Sequence, residues 1–264
     1  MASLLKMKNT FYKYQGTGND FVMIDNRNGL FPKQNTELVA HLCHRRFGIG
    51  ADGLILLEND GDSDFKMVYY NADGNEGSMC GNGGRCIVAF AHFLGLIKNQ
   101  TTFVAVDGLH EATIDGDLVS LKMLDVHEIN EKPNALFLNT GSPHHVQLVE
   151  NLKNFQVPKE GARLRYGVYG EKGSNINFVE ENTSGGFDIR TYERGVEDET
   201  LSCGTGVTAV ALGMYHLGKT KQSKVAINAL GGSLEVSFVE KNGMYSDIYL
   251  KGEAKQVFKG EVSW

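Results

Sequence analysis

Two cysteines, Cys80 and Cys203, open similar glycine-containing turns that lie 123 residues apart in the sequence. The first turn reads Met-Cys-Gly-Asn-Gly, the second reads Ser-Cys-Gly-Thr-Gly, and an apolar stretch with helical spacing follows each. This pattern predicts a thiol at the N-terminus of a helix, where backbone N–H groups and the helix dipole favour the thiolate. One such cysteine would indicate a nucleophile, whereas two in equivalent positions indicate an acid and a base that share one substrate carbon.

Such a pair suits the inversion of a carbon next to a carboxylate, which needs a base on one face and an acid on the other. The pKa of a thiol, about 8.5 in water, falls to roughly 3.5–7.5 at helix N-termini, so thiols can take both roles. The same helix ends offer backbone N–H groups to the substrate carboxylate. The residues placed to give those donors are Gly81, Asn82, Gly204 and Thr205.

The other two cysteines, Cys43 and Cys86, lie on apolar faces of predicted helices and are interpreted as core residues. A zinc site is not expected, because there is no Cys-x-x-Cys pair and no histidine has ligand spacing beside a cysteine. A disulfide between Cys80 and Cys203 would represent an inactive, oxidised form.

The cysteine turns are the best-matched part of a longer internal repeat. A glutamate precedes each cysteine by four residues, and each predicted helix ends on Leu-Gly, where glycine suits the position after a helix. Further matches occur in the same order along the chain. Val104–Asp107 resembles Val225–Asn228, Tyr70-Asn71 resembles Tyr192-Glu193, and Asn19–Val22 resembles Ile176–Val179. The repeat predicts two units, residues 1–128 and 129–264, with the last strand able to pack on the first unit.

Short alternating segments predict mostly strands, and three segments predict helices. The helices are Thr36 to Arg46, Gly84–Leu94 and Val207–Leu217; the strands are Phe21–Ile24, Leu54–Leu57, Lys66–Tyr70, Leu118–Met123, Val146–Val149, Phe187–Tyr192 and Leu234–Val239. We therefore expect an α+β fold of two pseudo-symmetric halves, each a sheet wrapped around a central helix. In such a fold the ligand is expected in the cleft between the halves.

Composition narrows the class of protein. The 264 residues are 41% hydrophobic and 22% charged, which is typical of a globular protein with a real core. The net charge of −6 gives no reason to expect a nucleic-acid partner, and no apolar run approaches the roughly 20 residues of a membrane helix. The N-terminal residues are too short and polar a segment for a signal peptide, so we expect a cytoplasmic protein with reduced thiols and no membrane partner.

One motif is typical of a different function, nucleotide binding. Residues 213–220 fit the nucleotide-binding pattern G-x-x-x-x-G-K-[ST], but that loop needs a strand before it and a helix after it. Here a predicted helix precedes the motif and a strand follows, so nucleotide hydrolysis is not favoured.

Over nearly its whole length the chain resembles diaminopimelate epimerase. The resemblance rests on the motifs Gly16–Phe21, Gly48–Gly53, Asn71–Gly74, Cys80–Cys86, Gly141–His144, Glu193–Gly195 and Cys203–Gly206. It implies a cofactor-independent enzyme that interconverts LL- and meso-diaminopimelate for lysine and cell-wall synthesis, with diaminopimelate as its small-molecule partner. It also implies that Cys80 and Cys203 are the acid/base thiols, and that the enzyme can be a homodimer.

The resemblance further implies residues that hold the second amino-acid head of the substrate and residues that tune the thiols. The substrate-binding positions are Asn19, Asn71, Asn175, Glu193 and Arg194, together with the four turn residues; His144 and Glu193 are the thiol-tuning positions. Arg194 can pair with a carboxylate and Glu193 with an ammonium group. The chain departs from many family members at Ser142, where they have asparagine, and at Gly53, where they have glutamine.

Two alternatives remain at this point. A proline or hydroxyproline racemase would also use two cysteines, but its first turn typically has histidine where this chain has Asn82. A non-catalytic binding protein on the same fold would not need either thiol.

Overall fold

The computed structural model describes residues 8–264, so the prediction about a signal peptide falls almost wholly outside the described part. Within this range the chain forms seventeen β-strands and four α-helices, which confirms the α+β class. Contacts between Cα atoms divide the chain into two compact units. One runs to Val119 and resumes at Glu253–Trp264, and the other is Ser120–Gly252. The repeat boundary at residues 128 and 129 stays a prediction.

The first unit begins with a strand pair and ends with the last strand of the chain. Its elements are β1 (Lys8–Gly16), β2 (Asn19–Asp25), α1 (Thr36–Cys43), β3 (Gly53–Glu58), β4 (Phe65–Asn71), α2 (Gly81–Phe93), β5 (Gln100–Ala105), β6 (Gly108–Asp115) and β17 (Lys255–Ser263). The strand β7 (Leu118–Lys122) carries the boundary between the units. β17 lies antiparallel beside β1.

The second unit is continuous in sequence. Its elements are β8 (Ile129–Lys132), β9 (Ala135–Asn139), β10 (Pro143–Leu148), α3 (Val157–Gly167), β11 (Asn175–Glu181), β12 (Phe187–Glu193), β13 (Asp198–Thr200), α4 (Gly204–His216), β14 (Lys224–Ala229), β15 (Gly232–Lys241) and β16 (Met244–Glu253). In residues 8–264, no helix is long and apolar enough to cross a membrane.

The two units repeat one pattern of strand pairing. In the first, β1 to β6 pair in chain order as antiparallel, parallel, antiparallel, parallel and antiparallel neighbours. In the second, β9, β10, β11, β12, β14 and β15 follow the same sequence of pairings. One helix follows the second strand of each series and another follows the fourth. β11 is therefore the counterpart of β3, and the predicted match of Asn19–Val22 with Ile176–Val179 is wrong.

Each unit wraps its strands around one buried helix, as predicted. α2 packs against β1, β2, β3, β4, β6 and β17, and α4 packs against β9 to β12, β14 and β15. Both helices are buried almost all round, because most of their residues are apolar or small; α2 also buries two polar side chains, Asn82 and Arg85. Large side chains such as Phe90 and Leu212 are fully buried, and each such burial contributes about 1.5–3 kcal/mol.

Both central helices end in the same glycine motif. Gly95 N–H donates to the His92 carbonyl and the next N–H donates to the Ala91 carbonyl; Gly218 and Lys219 repeat these bonds after α4. The two glycines have φ of +73° and +68°, a left-handed conformation that favours glycine. Lys219 thus lies in the cap that ends α4, with β14 following, so this segment has no phosphate-binding loop topology.

Candidate active site

Cys80 is the residue that caps the N-terminus of α2. Its backbone is extended (φ −108°, ψ 125°), and its carbonyl accepts a hydrogen bond from Gly84 N–H at 2.7 Å. The thiol is partly exposed. The first turn of α2 contains no acidic side chain, so a thiolate or a bound carboxylate would be the negative charge that this helix end favours. α2 begins three residues earlier than predicted, because the glycine turn itself forms the first helical turn.

Asn19 and Asn82 are brought together beside this turn. Asn82 is 1% exposed, and its amide Nδ2 donates to Asn19 Oδ1. Asn19 Nδ2 donates in turn to Asp52 Oδ2 at 3.0 Å, and Arg45 holds the other oxygen of Asp52 at 2.7 Å. The two asparagine side chains are therefore oriented by an ion pair to which the sequence assigned no role, although Asp52 lies within the motif Gly48–Gly53.

Asn71 lies at the end of β4, level with the start of β3 and with Phe21 of β2 in the sheet. The register pairs Phe21 of β2 with Gly53 of β3, and Gly53 with Asn71. A Cβ atom at Gly53 would lie 2.5 Å from the Tyr69 ring and 2.6 Å from the Tyr70 carbonyl oxygen. The backbone here is thus packed against Tyr69, and the glutamine expected at this position would clash with it.

Cys203 caps α4 with nearly the same backbone geometry as Cys80. Its φ is −119°, its ψ is 110°, and its carbonyl accepts from Val207 N–H at 2.9 Å. The Sγ atom lies 3.4 Å from Thr205 Oγ1, and the thiol is partly exposed. A Cβ atom at Gly206 would lie 2.5 Å from Asn177 Oδ1, so only glycine fits there.

A series of hydrogen-bonded side chains, Asn177, His144 and Thr205, leads to the Cys203 sulfur. Asn177 Nδ2 donates to the His145 carbonyl at 2.8 Å, which identifies it as the nitrogen, and it lies 3.1 Å from His144 Nδ1. Nδ1 of His144 is therefore the acceptor, so Nε2 carries the proton and donates to Thr205 Oγ1 at 2.9 Å. The Thr205 hydroxyl is then left to donate to the Cys203 sulfur.

His144 is completely buried, and burial lowers its pKa from 6.5 to about 3, with the positive charge of Arg194 as a second cause. The imidazole is therefore neutral at physiological pH and acts on Cys203 as a fixed hydrogen-bond donor through Thr205.

Arg194, Asn175 and Ser142 form a second cluster in this unit. Arg194 N–H donates to Asn175 Oδ1 at 2.9 Å, and Asn175 Nδ2 donates to Ser142 Oγ at 3.0 Å. The Arg194 guanidinium reaches the Lys172 carbonyl at 2.9 Å and Ser142 Oγ at 3.4 Å. Glu193, at the end of β12, accepts from the Thr200 hydroxyl at 2.8 Å. Ser142 thus fills the place of the expected asparagine as a hydrogen-bond partner of both residues.

The remaining cysteines have the environment of core residues. Cys43 is 2% exposed and Cys86 is 0% exposed, and burial raises the pKa of each thiol to about 12. All four cysteines are thiols. Among the described residues, no cluster of three or more His, Cys, Asp or Glu side chains could hold a metal ion.

The sequence assigned no role to Asn177 or to Arg85, although Arg85 lies within the motif Cys80–Cys86. Asn177 sits in an ordinary strand, and only the tertiary contact with His144 gives it a role. Arg85 follows the first cysteine turn, and its complete burial could not be read from a helical pattern.

The family model described as diaminopimelate epimerase matches residues 11–123 and 136–257. A diaminopimelate epimerase from Flavobacterium psychrophilum is 64% identical over 253 residues, covering 95% of this chain and 99% of the relative. One from Chlorobaculum tepidum is 44% identical over 257 residues, covering 94% of this chain and 99% of the relative.

Solved structures share the fold at low identity. A PhzF-family phenazine biosynthesis protein from Bacillus anthracis superposes with a TM-score of 0.79 at 12% identity, covering 98% of this chain and all of that one. A hydroxyproline epimerase from Agrobacterium vitis, with bound trans-4-hydroxy-L-proline, superposes with a TM-score of 0.67 at 16% identity, covering 98% and 93%.

Proposed function

Since the chain belongs to the diaminopimelate epimerase family, we propose that it interconverts LL- and meso-2,6-diaminopimelate with Cys80 and Cys203 as its acid/base pair. The observation that carries the proposal is that both cysteines occupy the N-cap position of a buried helix, with nearly the same backbone angles. A reaction that must run in both directions needs two groups of similar chemistry, and equivalent helix caps supply them.

In this mechanism one thiolate removes the α-proton and the other thiol gives a proton to the opposite face of the carbon. The roles exchange when the reaction runs backwards. Negative charge spreads into the adjacent carboxylate as the proton leaves, and helix N-terminal N–H groups stabilise that charge. The backbone donors that we assign to this role belong to Gly81, Asn82, Gly204 and Thr205. His144 favours the Cys203 thiolate through the Thr205 hydroxyl.

The second amino-acid head of the substrate needs one cation, one anion and several amides. We assign its carboxylate to Arg194 and its ammonium group to Glu193. The amides are assigned to Asn19, Asn71 and Asn175. Support comes from the hydrogen bond between Arg194 and Asn175, which fixes both at the ends of neighbouring strands. Glu193 is also assigned a role in tuning the thiols.

We further propose that the enzyme works without a cofactor, in the cytoplasm, and as a homodimer. Thiols at helix ends can lower the barrier to proton transfer without an electron sink, because the carboxylate charge is stabilised by the same helix ends.

The experiment that tests the function is solvent exchange in D₂O with purified, reduced protein. We expect deuterium at one α-carbon of LL-diaminopimelate, with appearance of the meso isomer, and no exchange with L-proline or trans-4-hydroxy-L-proline. Exchange with proline instead would identify the rival racemase, and no exchange with any substrate would leave a binding protein.

Binding of the distal head is tested by Arg194→Ala. We expect KM for diaminopimelate to rise about 10–100-fold, because a charge-assisted hydrogen bond to a carboxylate contributes about 1.5–3 kcal/mol. The matched control is Arg163→Ala, which removes an exposed arginine paired with Glu160 and should leave KM unchanged. An unchanged KM in Arg194→Ala would remove Arg194 from the substrate site.

A further inference from the structure

Arg85 lies in the first turns of α2. It is among the largest side chains of residues 8–264 that are fully buried. Its Nη2 donates to Thr17 Oγ1 at 2.5 Å and to Asn82 Oδ1 at 2.9 Å. Its Nε and Nη1 have no hydrogen-bond partner. Both acceptors are neutral, and within the described range no carboxylate is paired with this guanidinium.

A buried cation without a counter-ion is costly, so the surrounding structure should supply a negative charge. Burial lowers the pKa of Arg85, and the two groups whose charge opposes that effect are the thiols of Cys86 and Cys80. Cys86 has its own pKa raised to about 12 and stays neutral. Cys80 is partly exposed at the helix end, and it is the group that can become the anion.

Other charged groups around α2 do not supply a negative charge to balance Arg85. Glu76, which precedes the turn, is exposed. Burial raises the pKa of Tyr14 and Tyr70, so both are neutral. Several others are neutralised in ion pairs of their own: Lys13 with Asp20, Arg45 with Asp20 and Asp52, Lys33 with Glu58, and Lys255 with Glu253.

We propose that Arg85 is the buried counter-cation of the Cys80 thiolate, so that Cys80 loses its proton to solvent more readily than Cys203 does. Arg85 is a positioning residue, since it acts through its charge and through its bond to Asn82. The corresponding residue after Cys203 is Thr208, whose hydroxyl donates to the Gly204 carbonyl at 3.0 Å. The resting protein then holds one thiolate and one thiol, which is the state that a two-thiol inversion needs. Only this last point rests on the proposed function.

The test is the pH dependence of iodoacetamide alkylation, followed separately at the Cys80 and Cys203 peptides by mass spectrometry. The readout needs no substrate, so it is independent of whether the chain epimerises diaminopimelate. In the wild-type protein we expect the Cys80 pKa to lie at least one unit below that of Cys203. A Cys80 pKa equal to or above that of Cys203 would overturn the proposal, and this comparison requires no variant to fold.

In Arg85→Met we expect the Cys80 pKa to rise by about 1–3 units, the usual effect of losing a close opposite charge, while the Cys203 pKa stays constant. Arg85→Lys keeps a cation and should hold the Cys80 pKa below its value in Arg85→Met. The matched control, Thr208→Val, changes the equivalent residue of the other turn and should leave the Cys80 pKa unchanged. An unshifted Cys80 pKa in folded Arg85→Met, or equal values in the Met and Lys variants, would refute the role of the charge.

Discussion

The Cys80 turn and the Cys203 turn share a backbone but have different charges around them. Both cysteines are extended helix caps, both helices have thirteen residues, and both end in a left-handed glycine. The helix that follows Cys80 buries a guanidinium, Arg85, which donates to Asn82 of the same turn. Behind Cys203 lies a buried neutral imidazole, His144, which reaches the sulfur through Thr205.

This difference separates two tasks that a helix cap performs. The backbone places a thiol where N–H groups and the helix dipole favour negative charge, and that part is the same in both units. The side chains then decide how strongly each thiol holds its proton. A duplicated fold can thus supply two similar groups, and a few buried substitutions can make them unequal.

The largest expected effect tests the similarity of the two turns. Cys80→Ala and Cys203→Ala should each lower the rate of epimerisation by about 10³-fold or more, because each removes one proton-transfer group. The rates of isomer formation are compared by chromatography of the two diastereomers. Cys43→Ala, at a buried thiol outside the turns, serves as the control and should retain activity. A variant of Cys80 or Cys203 that kept full turnover would show that the two turns are not functional equivalents.

A pH-dependent loss of stability should distinguish the second turn. The pKa of His144 is about 3 in the folded protein and about 6.5 when unfolded, so below pH 6.5 the unfolded chain binds one proton more. Stability must then fall as pH falls, by about 1.4 kcal/mol per pH unit from this residue, and show no such effect above pH 6.5. Urea unfolding between pH 7 and 4.5 should be less steeply pH-dependent in His144→Gln than in the wild type. Parallel curves for the two proteins would mean that His144 titrates normally.

Removal of the Thr205 hydroxyl should raise the pKa of only one of the two thiols, that of Cys203. In Thr205→Val, Cys203 loses a donor and His144 loses its acceptor, so we expect kcat/KM to fall about 10-fold and the Cys203 pKa to rise. The Cys80 pKa should not change. Thr205→Ser keeps the hydroxyl and should behave like the wild type in both alkylation and turnover. Equal effects of Val and Ser would assign the loss to packing.

The smallest expected effect concerns the glycine motif that ends both central helices. A Cβ atom at Gly95 or Gly218 would contact nothing within 4 Å, so alanine there costs only the left-handed backbone strain. Gly95→Ala and Gly218→Ala should each lower the free energy of unfolding by about 1–2 kcal/mol. Gly61→Ala, at an open position without positive φ, is the control and should cost little. If the losses of unfolding free energy in Gly95→Ala and Gly218→Ala differed by much more than their errors, the two helix ends would not be equivalent.

The sequence predicted the class, the two central helices and seven strands, because alternating apolar residues and paired glycine turns are local signals. It did not predict α3, whose segment includes Pro158, Gly161 and Gly167 and reads as a loop. Gly161 is there because Tyr192 packs directly against its backbone, a contact that no local pattern reveals.

The predicted site residues divide in the same way. The cysteine turns stood out in sequence because the chain repeats them. Their partners differ between the units, so the repeat gave no signal for Arg85, Asn177 or Asp52. The match of Asn19–Val22 to the wrong strand had a related cause. Both matched segments contain a polar residue followed by Phe-Val, whereas the true counterpart, β10, contains no Phe-Val pair.

β17 lies beside β1, although almost the whole chain separates them in sequence. During translation the first unit must therefore wait for Glu253–Trp264, whereas Ser120–Gly252 can fold as one continuous stretch once it leaves the ribosome. Until then β1 presents an unpaired edge, the kind of surface that promotes aggregation. The half of the protein that is synthesised first is thus expected to be the last to mature.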